Sequence, residues 1–541
     1  MKGLKVSSKK MRHISLFICV LVYMASATYI VNTCKGSGIL TFISALMPVS
    51  LLLFCFPFAL LEFVSKNVRE QLDIMNSKNS VRILVFSNMA LFVYLGLCCV
   101  LIFSFIDKIK KYVLFSPYGY IILYSLIPFL IFTSFCFIFY GFFLGARVKN
   151  SLYTIFMSKA VLTFVLIIVF SGFFDAKGVK AEKILYDPNI PYIFKGAGIA
   201  LGMSVASFIS FVACIINYRN HKMNIVTGDK TKRRIDIYDF VSRLIKPAVL
   251  LSINQITLPL MMIVASGLLF MIMNKAGYSK ELISYRETAY FVYLPVITFM
   301  PLALSYMYSF FDRKSIAVST DTGDMHEIRF KITEMHKKFA LYYFPFVIYI
   351  TVNAPCILNG VFGVKSEFMT HVLYVCLPAG IAFGMMMLSK NILIGLGELF
   401  ASALTSFISI GVMALIMIFG GGILGSFLMP VSIYAFAVIY MLLSMLFVRR
   451  NVKYSPGFNK RFLRPILVMV PVFVITLVLR LLLSLFMPDL MILVITGVID
   501  FFIVYIFYIL SGAVTYMSVS KSPYAFVLLP LGKILGLKQR N

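Results

Sequence analysis

Long apolar segments, each bounded by charged residues, glycine or proline, recur along almost the whole chain. Each is close to the roughly 20 residues that a helix needs to cross a bilayer core of about 30 Å. The segments are continuously apolar and do not alternate every second residue, so they predict helices and exclude a transmembrane β-barrel. Fourteen spans are predicted, at residues 14–32, 39–62, 82–106, 118–144, 152–174, 192–217, 247–274, 288–311, 339–358, 369–394, 398–420, 423–447, 464–486 and 489–518.

The composition supports this interpretation. Of the 541 residues, 61% are hydrophobic and only 13% are charged, whereas about 25% of a typical soluble domain is charged. The mean hydropathy is +0.94. A soluble protein of this length could not bury so much apolar surface, so the sequence predicts an all-α, polytopic integral membrane protein.

The net charge of +29 is explained by membrane topology rather than by nucleic-acid binding. If the N-terminal stretch MKGLKVSSKKMR is cytoplasmic, the inner segments carry roughly three times as many Lys and Arg residues as the outer loops, as the positive-inside rule requires. An even number of spans then places the basic tail GKILGLKQRN inside as well. We expect both termini to be cytoplasmic and no nucleic-acid partner.

The residues that usually mark metal, redox or ATP chemistry are absent or scattered. The nine cysteines fall mostly within apolar spans and have no metal-ligand spacing. His326-Glu327 lacks the second histidine of an HExxH zinc site, and the chain contains no phosphate-binding GxxxxGK[ST] loop. We therefore expect no metal, no cofactor and no enzymatic activity.

Two motifs recur at nearly the same separation and indicate an internal repeat. The stretches LMPVSLLLFCFPFALLEFVSK and YLPVITFMPLALSYMYSFF place Pro57 and Pro301 244 residues apart, and YGFFLG and ILIGLG place Gly145 and Gly395 250 residues apart. Each pair lies six spans apart, so the repeats are parallel in the membrane. The predicted domains are an N-terminal lobe (1–220), a cytoplasmic linker (221–246), a C-terminal lobe (247–450), and helices 13 and 14 with the basic tail (451–541).

Prolines within the repeated spans are predicted to act as hinges. Pro48, Pro57, Pro295 and Pro301 interrupt helical hydrogen bonds, and broken helices belong against protein or water rather than lipid. One hypothesis is that these helices line a cavity between two lobes and bend during alternating access. The alternative is that the kinks only improve helix packing.

Four polar residues are candidates for contact with a substrate. Asn254 and Gln255 interrupt the apolar run SINQITLPL, and they predict either a polar cavity or a hydrogen bond between helices. Lys35 and Arg286 lie near the predicted outer surface and could hold phosphate oxygens. The alternative for both is ordinary interfacial charge.

Other charged residues also lie within predicted spans. Arg480 and Asp500 occupy the last two spans at similar predicted depths, so we expect an ion pair that docks these helices, or alternatively a relay. Lys159 and Lys390 lie close enough to the cytoplasmic ends of their spans to extend their ammonium groups to the interface.

Residues 36–71 resemble the start of the stage V sporulation protein B group, in the polysaccharide-transport and lipid II flippase branch of the MOP (multidrug/oligosaccharidyl-lipid/polysaccharide) exporter superfamily. The resemblance rests on Gly36-Ser37-Gly38, Pro48, Pro57-Phe58-Ala59 and Ser65-Lys66, and it continues in YGFFLG and in the second repeat. The chain departs from the group by lacking an arginine in ATYIVNTCKG, where Lys35 could substitute. It also has Cys55 where the group has glycine, and Tyr140-Gly141 where the group has Arg-Gly.

This resemblance implies a V-shaped, fourteen-helix flippase that moves a polyprenyl-diphosphate-linked oligosaccharide or cell-wall precursor across the bacterial cytoplasmic membrane. It also implies contact with membrane lipids and with enzymes of cell-envelope synthesis, and we expect a monomer. A cation-coupled multidrug exporter of the same superfamily is the alternative, and a membrane scaffold that transports nothing is the third hypothesis.

Overall fold

The computed structural model describes residues 8–34, 39–104, 120–226, 234–298, 309, 313, 315–320, 322–453 and 464–511. All regular structure in these residues is helical, which confirms the predicted fold class. The long helices are α1 (Ser8–Cys34), α2 (Ile39–Asp73), α3 (Ser77–Ser104), α4 (Tyr120–Gly145), α5 (Lys149–Leu185), α6 (Ile190–Val226), α7 (Lys246–Gln255), α8 (Thr257–Lys275), α9 (Lys280–Thr288), α10 (Met325–Val352), α11 (Glu367–Gly395), α12 (Leu399–Gly420), α13 (Leu428–Val452), α14 (Arg464–Leu483) and α15 (Asp489–Leu510).

Ten spans in the described part of the chain are long and apolar enough to cross a membrane. Two bent pairs, Tyr343–Val352 with Ala354–Val361 and Glu367–Val375 with Gly380–Gly395, raise the number to 12 if each pair is one span. The apolar part of α14, Leu467–Leu483, is shorter than a full span, and the predicted span 288–311 lies partly outside the described residues. The protein is thus a multi-pass membrane protein, and the number fourteen stays a prediction.

The chain forms two compact units. The first contains Met1–Ile263 and Lys280–Val292, and the second contains Val264–Ser279 and Tyr293–Asn541. Part of the predicted linker is helical, because α6 continues to Val226 and helix resumes at Ile237. Compact units need not coincide with repeated lobes, so the predicted lobe boundaries stay predictions.

Small residues allow close helix packing within the first unit. Gly198 and Gly202 are four residues apart on α6 and face α5. A Cβ atom added at Gly198 would lie 2.5 Å from the carbonyl oxygen of Phe170, and one added at Gly202 would lie 2.6 Å from that of Leu166. In a membrane, where lipid is as apolar as leucine, such close approach of backbones is a main source of helix association.

A glycine contact between α2 and α4 has a counterpart in the second unit, at the pair of glycines on which the predicted internal repeat is based. The repeat itself stays a prediction. A Cβ added at Gly145 of α4 would lie 2.8 Å from the carbonyl oxygen of Ser65 and 2.9 Å from the Cβ of Val68. A Cβ added at Gly395 of α11 would lie 3.0 Å from the Cγ of Arg313. It would lie 3.3 Å from the Cβ of Ile316. In each unit the glycine thus contacts two residues three positions apart on the helix that it packs against.

Candidate functional site

The proline-containing helix α2 is continuous through both predicted hinge residues, and Pro48 and Pro57 are buried. Proline has no N–H group, so Pro57 cannot donate to the carbonyl of Leu53, four residues earlier. The hydroxyl of Tyr94 on α3 donates to that carbonyl at 3.1 Å. The bond that the proline removes is therefore replaced by a neighbouring helix, which explains how the proline is tolerated within a bilayer.

The amide residues of the predicted cavity lie at the end of α7, a helix that packs against α2 within the first unit. Asn254 is fully buried, and its Nδ2 atom donates to the carbonyl of Leu250 at 3.2 Å. The Nε2 atom of Gln255 is buried and has no hydrogen-bond partner among the described residues. A buried donor without a partner is costly and rare, so Gln255 is the member of this pair that best fits a polar ligand.

Arg286 lies on α9, which also packs against α2 in the first unit. Its side chain is half-buried, and the neighbouring Glu287 is buried. A π-helical segment, Ala289–Tyr293, follows directly and leads to the half-buried Pro295. Three of the predicted site residues, Asn254, Gln255 and Arg286, are thus on helices that contact the same proline-containing helix.

The other two predicted residues of this group, Lys35 and Pro301, lie outside the described residues. The proposed roles of Lys35 in phosphate contact and of Pro301 as a hinge therefore stay predictions.

Lys159 is a buried basic residue in the packed interior of the first unit. It lies ten residues from the start of α5, about 15 Å along the helix axis, and its side chain is only 5% exposed. Its Nζ atom donates to Thr133 Oγ1 on α4 at 3.1 Å, and it lies 6.0 Å from the centre of the Phe129 ring. Thr133 Oγ1 is in turn 3.0 Å from Ser207 Oγ on α6.

The surroundings of Lys159 contain hydroxyl and thiol groups but no ion-pairing carboxylate within the described part of the chain. Cys136 and Cys214 contribute the thiols, and the Cys136 Sγ atom lies 3.9 Å from the carbonyl oxygen of Ser207. The expectation that Lys159 extends to the interface is wrong. The reason is that its side chain lies against α4, where its ammonium group donates to Thr133, rather than extending along the surface of the helix.

A second group of buried polar residues lies in the second unit. Arg313 is 3% exposed and its Nη1 atom donates to Asn391 Oδ1 at 3.3 Å, while Asn391 Nδ2 donates to Ser309 Oγ at 2.7 Å. The adjacent Lys390 is 4% exposed. The expectation that Lys390 extends to the interface is therefore also wrong, because its side chain packs within the protein.

The predicted ion pair between Arg480 and Asp500 is not formed. The Nη1 atom of Arg480 donates to the carbonyl of Val352 at 2.8 Å and to the hydroxyl of Tyr374 at 3.3 Å. Asp500 instead contacts the hydroxyl of Thr476. Arg480 lies four residues beyond Thr476 on α14, about 6 Å further along the helix axis, and its guanidinium group is engaged by Val352 and Tyr374 instead.

Three solved structures show which fold this arrangement belongs to. An outward-facing multidrug resistance MATE family transporter of the MOP superfamily has a TM-score of 0.62 and 14% identity, and the match covers 84% of this chain and 98% of that one. A MATE transporter of Vibrio cholerae has a TM-score of 0.61 and 12% identity, and the match covers 83% of this chain and 98% of that one. A MOP superfamily transporter of Pyrococcus furiosus has a TM-score of 0.60 and 13% identity, and the match covers 84% of this chain and 98% of that one.

The chain has the fold of the MOP transporters. Identities of 12–14% establish the fold and no more. No protein-family model and no curated protein sequence matches the chain. The stage V sporulation protein B branch therefore stays a hypothesis based on the sequence resemblance.

Proposed function

We propose that this protein is a MOP transporter that moves an anionic, lipid-linked substrate across the membrane by alternating access. The substrate class that fits best is a polyprenyl-diphosphate-linked oligosaccharide or cell-wall precursor. The observation that carries this proposal is Lys159, whose ammonium group is buried and has, among the described residues, a neutral hydroxyl as its one hydrogen-bond partner. A buried cation without a carboxylate is costly unless an anion approaches it.

A further observation supports an anionic substrate. The second unit also buries basic side chains, at Arg313 and Lys390. A cationic site would suit diphosphate oxygens, which bind lysine and arginine through charge-assisted hydrogen bonds.

In this proposal Gln255 and Asn254 contact polar groups of the substrate, and Lys35 and Arg286 contact the diphosphate. Pro48, Pro57, Pro295 and Pro301 allow the helices that line the path to bend. The protein would act without catalysing a reaction, as a monomer in the bacterial cytoplasmic membrane with both termini in the cytoplasm. Its partners would be membrane lipids and enzymes of cell-envelope synthesis.

The alternative is a cation-coupled multidrug exporter. It is favoured by structural neighbours that are themselves described as multidrug resistance MATE transporters. A drug of this class would have to avoid the positive charge of Lys159 or find that side chain neutral. A scaffold that transports nothing is the third hypothesis.

The deciding experiment uses the full-length protein in liposomes that contain a fluorescent polyprenyl-diphosphate sugar. Flipping makes the labelled lipid of the inner leaflet accessible to a reagent added outside. We expect protein-dependent access that is lost in Lys159→Met and in Arg286→Glu and kept in Lys275→Glu, a charge reversal at an exposed residue of α8.

Each outcome of this experiment separates the hypotheses. Transport unaffected by Arg286→Glu would remove Arg286 from the path. Movement of aromatic cations but of no diphosphate lipid would support the drug exporter. Movement of neither, in a folded preparation with a membrane potential applied, would support the scaffold.

A further inference from the structure

Asp500 is a buried acid in the middle of a membrane helix and is not used in the proposed substrate site. It lies eleven residues into α15, about 16 Å from the start of the helix, and its side chain is 5% exposed. Its Oδ2 atom is buried and has no hydrogen-bond partner among the described residues. An intramembrane acid of this kind usually marks an ion or proton site.

The hydrogen bonds around Thr476 can all be satisfied at once if Asp500 is protonated. The Thr476 Oγ1 atom lies 2.9 Å from the carbonyl oxygen of Val472 and also contacts Asp500 Oδ1. A hydroxyl carries one proton, and the carbonyl can only accept. If Thr476 donates to Val472, the bond between Thr476 and Asp500 is made by a proton on the carboxyl group, with Thr476 as the acceptor.

The ionised form of Asp500 fits this environment poorly. It would compete with Val472 for the single proton of Thr476 and would leave a charged Oδ2 atom buried without a donor. Such a charge is far more costly within a bilayer than a neutral carboxylic acid whose carbonyl oxygen lacks a partner.

A metal cation is a weaker fit than a proton. Hard metal cations take several oxygen ligands, whereas the hydroxyl of Thr476 is the one side-chain hydrogen-bond partner of Asp500 in the described part of the chain. No cluster of three or more His, Cys, Asp or Glu residues suited to a metal occurs in that part either.

The other charged or titratable groups near Asp500 lie on each of the helices packed around it. Tyr349 on α10 is close enough to interact electrostatically with the carboxyl group, and its hydroxyl donates to the carbonyl of Leu493 at 2.9 Å. Arg480 on α14 lies one turn beyond Thr476, and its guanidinium group donates to Val352. Tyr508 on α15 lies two turns further along, and its hydroxyl donates to a carbonyl of α10.

Polar residues follow one face of α15 from Asp500 towards the end that the sequence predicts to be extracellular. Asp489, Thr496 and Asp500 are separated by seven and four residues, which places them on the same helix face. Thr496 Oγ1 lies 3.1 Å from Asn353 Oδ1, and Asp489 accepts a hydrogen bond from Asn359 at a cavity of about 640 Å³.

An apolar layer separates this cavity from Asp500. Cys356, Ile492 and Leu493 form a buried cluster, and the last two lie between Asp489 and Thr496 along α15. The carboxyl group is therefore enclosed in the conformation described here, and the continuing polar face marks the side from which it is reached when the layer opens.

We infer that Asp500, in contact with Thr476, is a proton-binding site that exchanges its proton with the side of the membrane on which Asp489 lies. The site belongs to the last two helices and is separate from the residues proposed to hold the substrate. It gives the protein a group that can couple the proton gradient to conformational change, whatever the transported molecule is.

The test is an infrared titration of the purified full-length protein. We expect a protonated carboxyl absorption at neutral pH that shifts in heavy water, disappears in Asp500→Asn and remains in Asp489→Asn. Asparagine has the shape of a neutral aspartic acid, so we also expect Asp500→Asn to fold and to show an unchanged melting temperature at neutral pH.

Two other measurements keep the inference testable if Asp500→Asn is poorly folded. Thr476→Val removes the proton acceptor and should shift the same absorption without abolishing it. Ile492→Ala thins the apolar layer and should speed exchange of the carboxyl proton for deuterium. A spectrum that is the same in wild type and Asp500→Asn, or an Asp500 carboxylate absorption that responds to added sodium, would overturn the inference.

Discussion

Replacing Lys159 with methionine should stabilise the protein while it abolishes transport of an anionic substrate. The buried ammonium group makes one hydrogen bond, to Thr133, and lies 6.0 Å from the Phe129 ring. A hydrogen bond to a charged group contributes about 1.5–3 kcal/mol, whereas taking an ion out of water costs several kcal/mol. Methionine fills a similar volume without this cost, so we expect the free energy of unfolding to rise by about 1–4 kcal/mol.

The assay compares thermal unfolding in detergent with flipping in liposomes for the same preparations. Lys180→Met is the matched control, because it makes the same substitution at an exposed position of the same helix. A surface substitution of this kind should change stability by no more than about 0.5 kcal/mol. The control should also leave transport unchanged.

Two combinations of stability and transport would contradict these expectations. If Lys159→Met lowers the melting temperature while Lys180→Met does not, the ammonium group stabilises the fold and has a purely structural role. If Lys159→Met is more stable and transports the diphosphate lipid normally, Lys159 lies outside the substrate path. Only gain of stability together with loss of transport identifies a residue retained for function at a cost in stability.

Three further predictions test the packing and the surface electrostatics. Gly145→Ala should destabilise the protein by about 1–3 kcal/mol through overpacking. At Gly411 an added Cβ would meet nothing within 4 Å, so Gly411→Ala should stabilise α12 by up to about 1 kcal/mol. Thermal unfolding of the two variants checks both expectations. Tyr94→Phe removes the hydrogen bond to the carbonyl of Leu53, which Pro57 leaves without a helical donor, and should lower the free energy of unfolding by about 1–3 kcal/mol. An unchanged melting temperature would show that another group donates to that carbonyl. The hydrogen bond from the Lys331 ammonium lowers the pKa of Glu327, so this contribution is present above the ordinary glutamate pKa and is lost as the pH falls through the lowered value. The melting difference between wild type and Glu327→Gln should therefore be small, present at neutral pH and absent in acid.

The helices could be predicted because their signal is local. A continuous apolar run of about 20 residues has few stable conformations in lipid other than a helix. The predicted runs at α3, α4 and α6 are helical throughout the described residues. The glycines of the predicted repeat have a physical role. Gly145 and Gly395 each lie where an added Cβ would meet the neighbouring helix, whereas the repeat itself stays a prediction.

The partners of the charged residues could not be predicted in the same way. The expected pair of Arg480 and Asp500 depended on where two helices end, and span boundaries are uncertain by several residues. An error of one turn moves a side chain by about 5 Å along the axis. The burial of Lys159 was missed because it depends on the packing of α5 against α4, where Thr133 accepts from its ammonium group.

The hydrogen bond from Tyr94 to the carbonyl of Leu53 could not be predicted, for a different reason. The position of Pro57 in the sequence predicts that the carbonyl of Leu53 lacks its helical donor. It does not predict which residue donates to that carbonyl instead. That residue lies on α3, 41 positions away, and only the packing of two helices brings the groups together. The sequence could therefore predict the need for a donor without predicting the donor.

The two proposed sites make a joint prediction about pH. If substrate binding and proton binding at Asp500 are linked, the linkage is reciprocal, so pH changes substrate affinity by the same factor as substrate changes proton affinity. Asp500→Asn should then remove the pH dependence of substrate binding while binding itself persists. Lys159→Met should remove binding at every pH, because it removes the positive charge that attracts the anion. A pH dependence that survives in Asp500→Asn would place the coupled proton on another group and leave Asp500 with a proton that takes no part in transport.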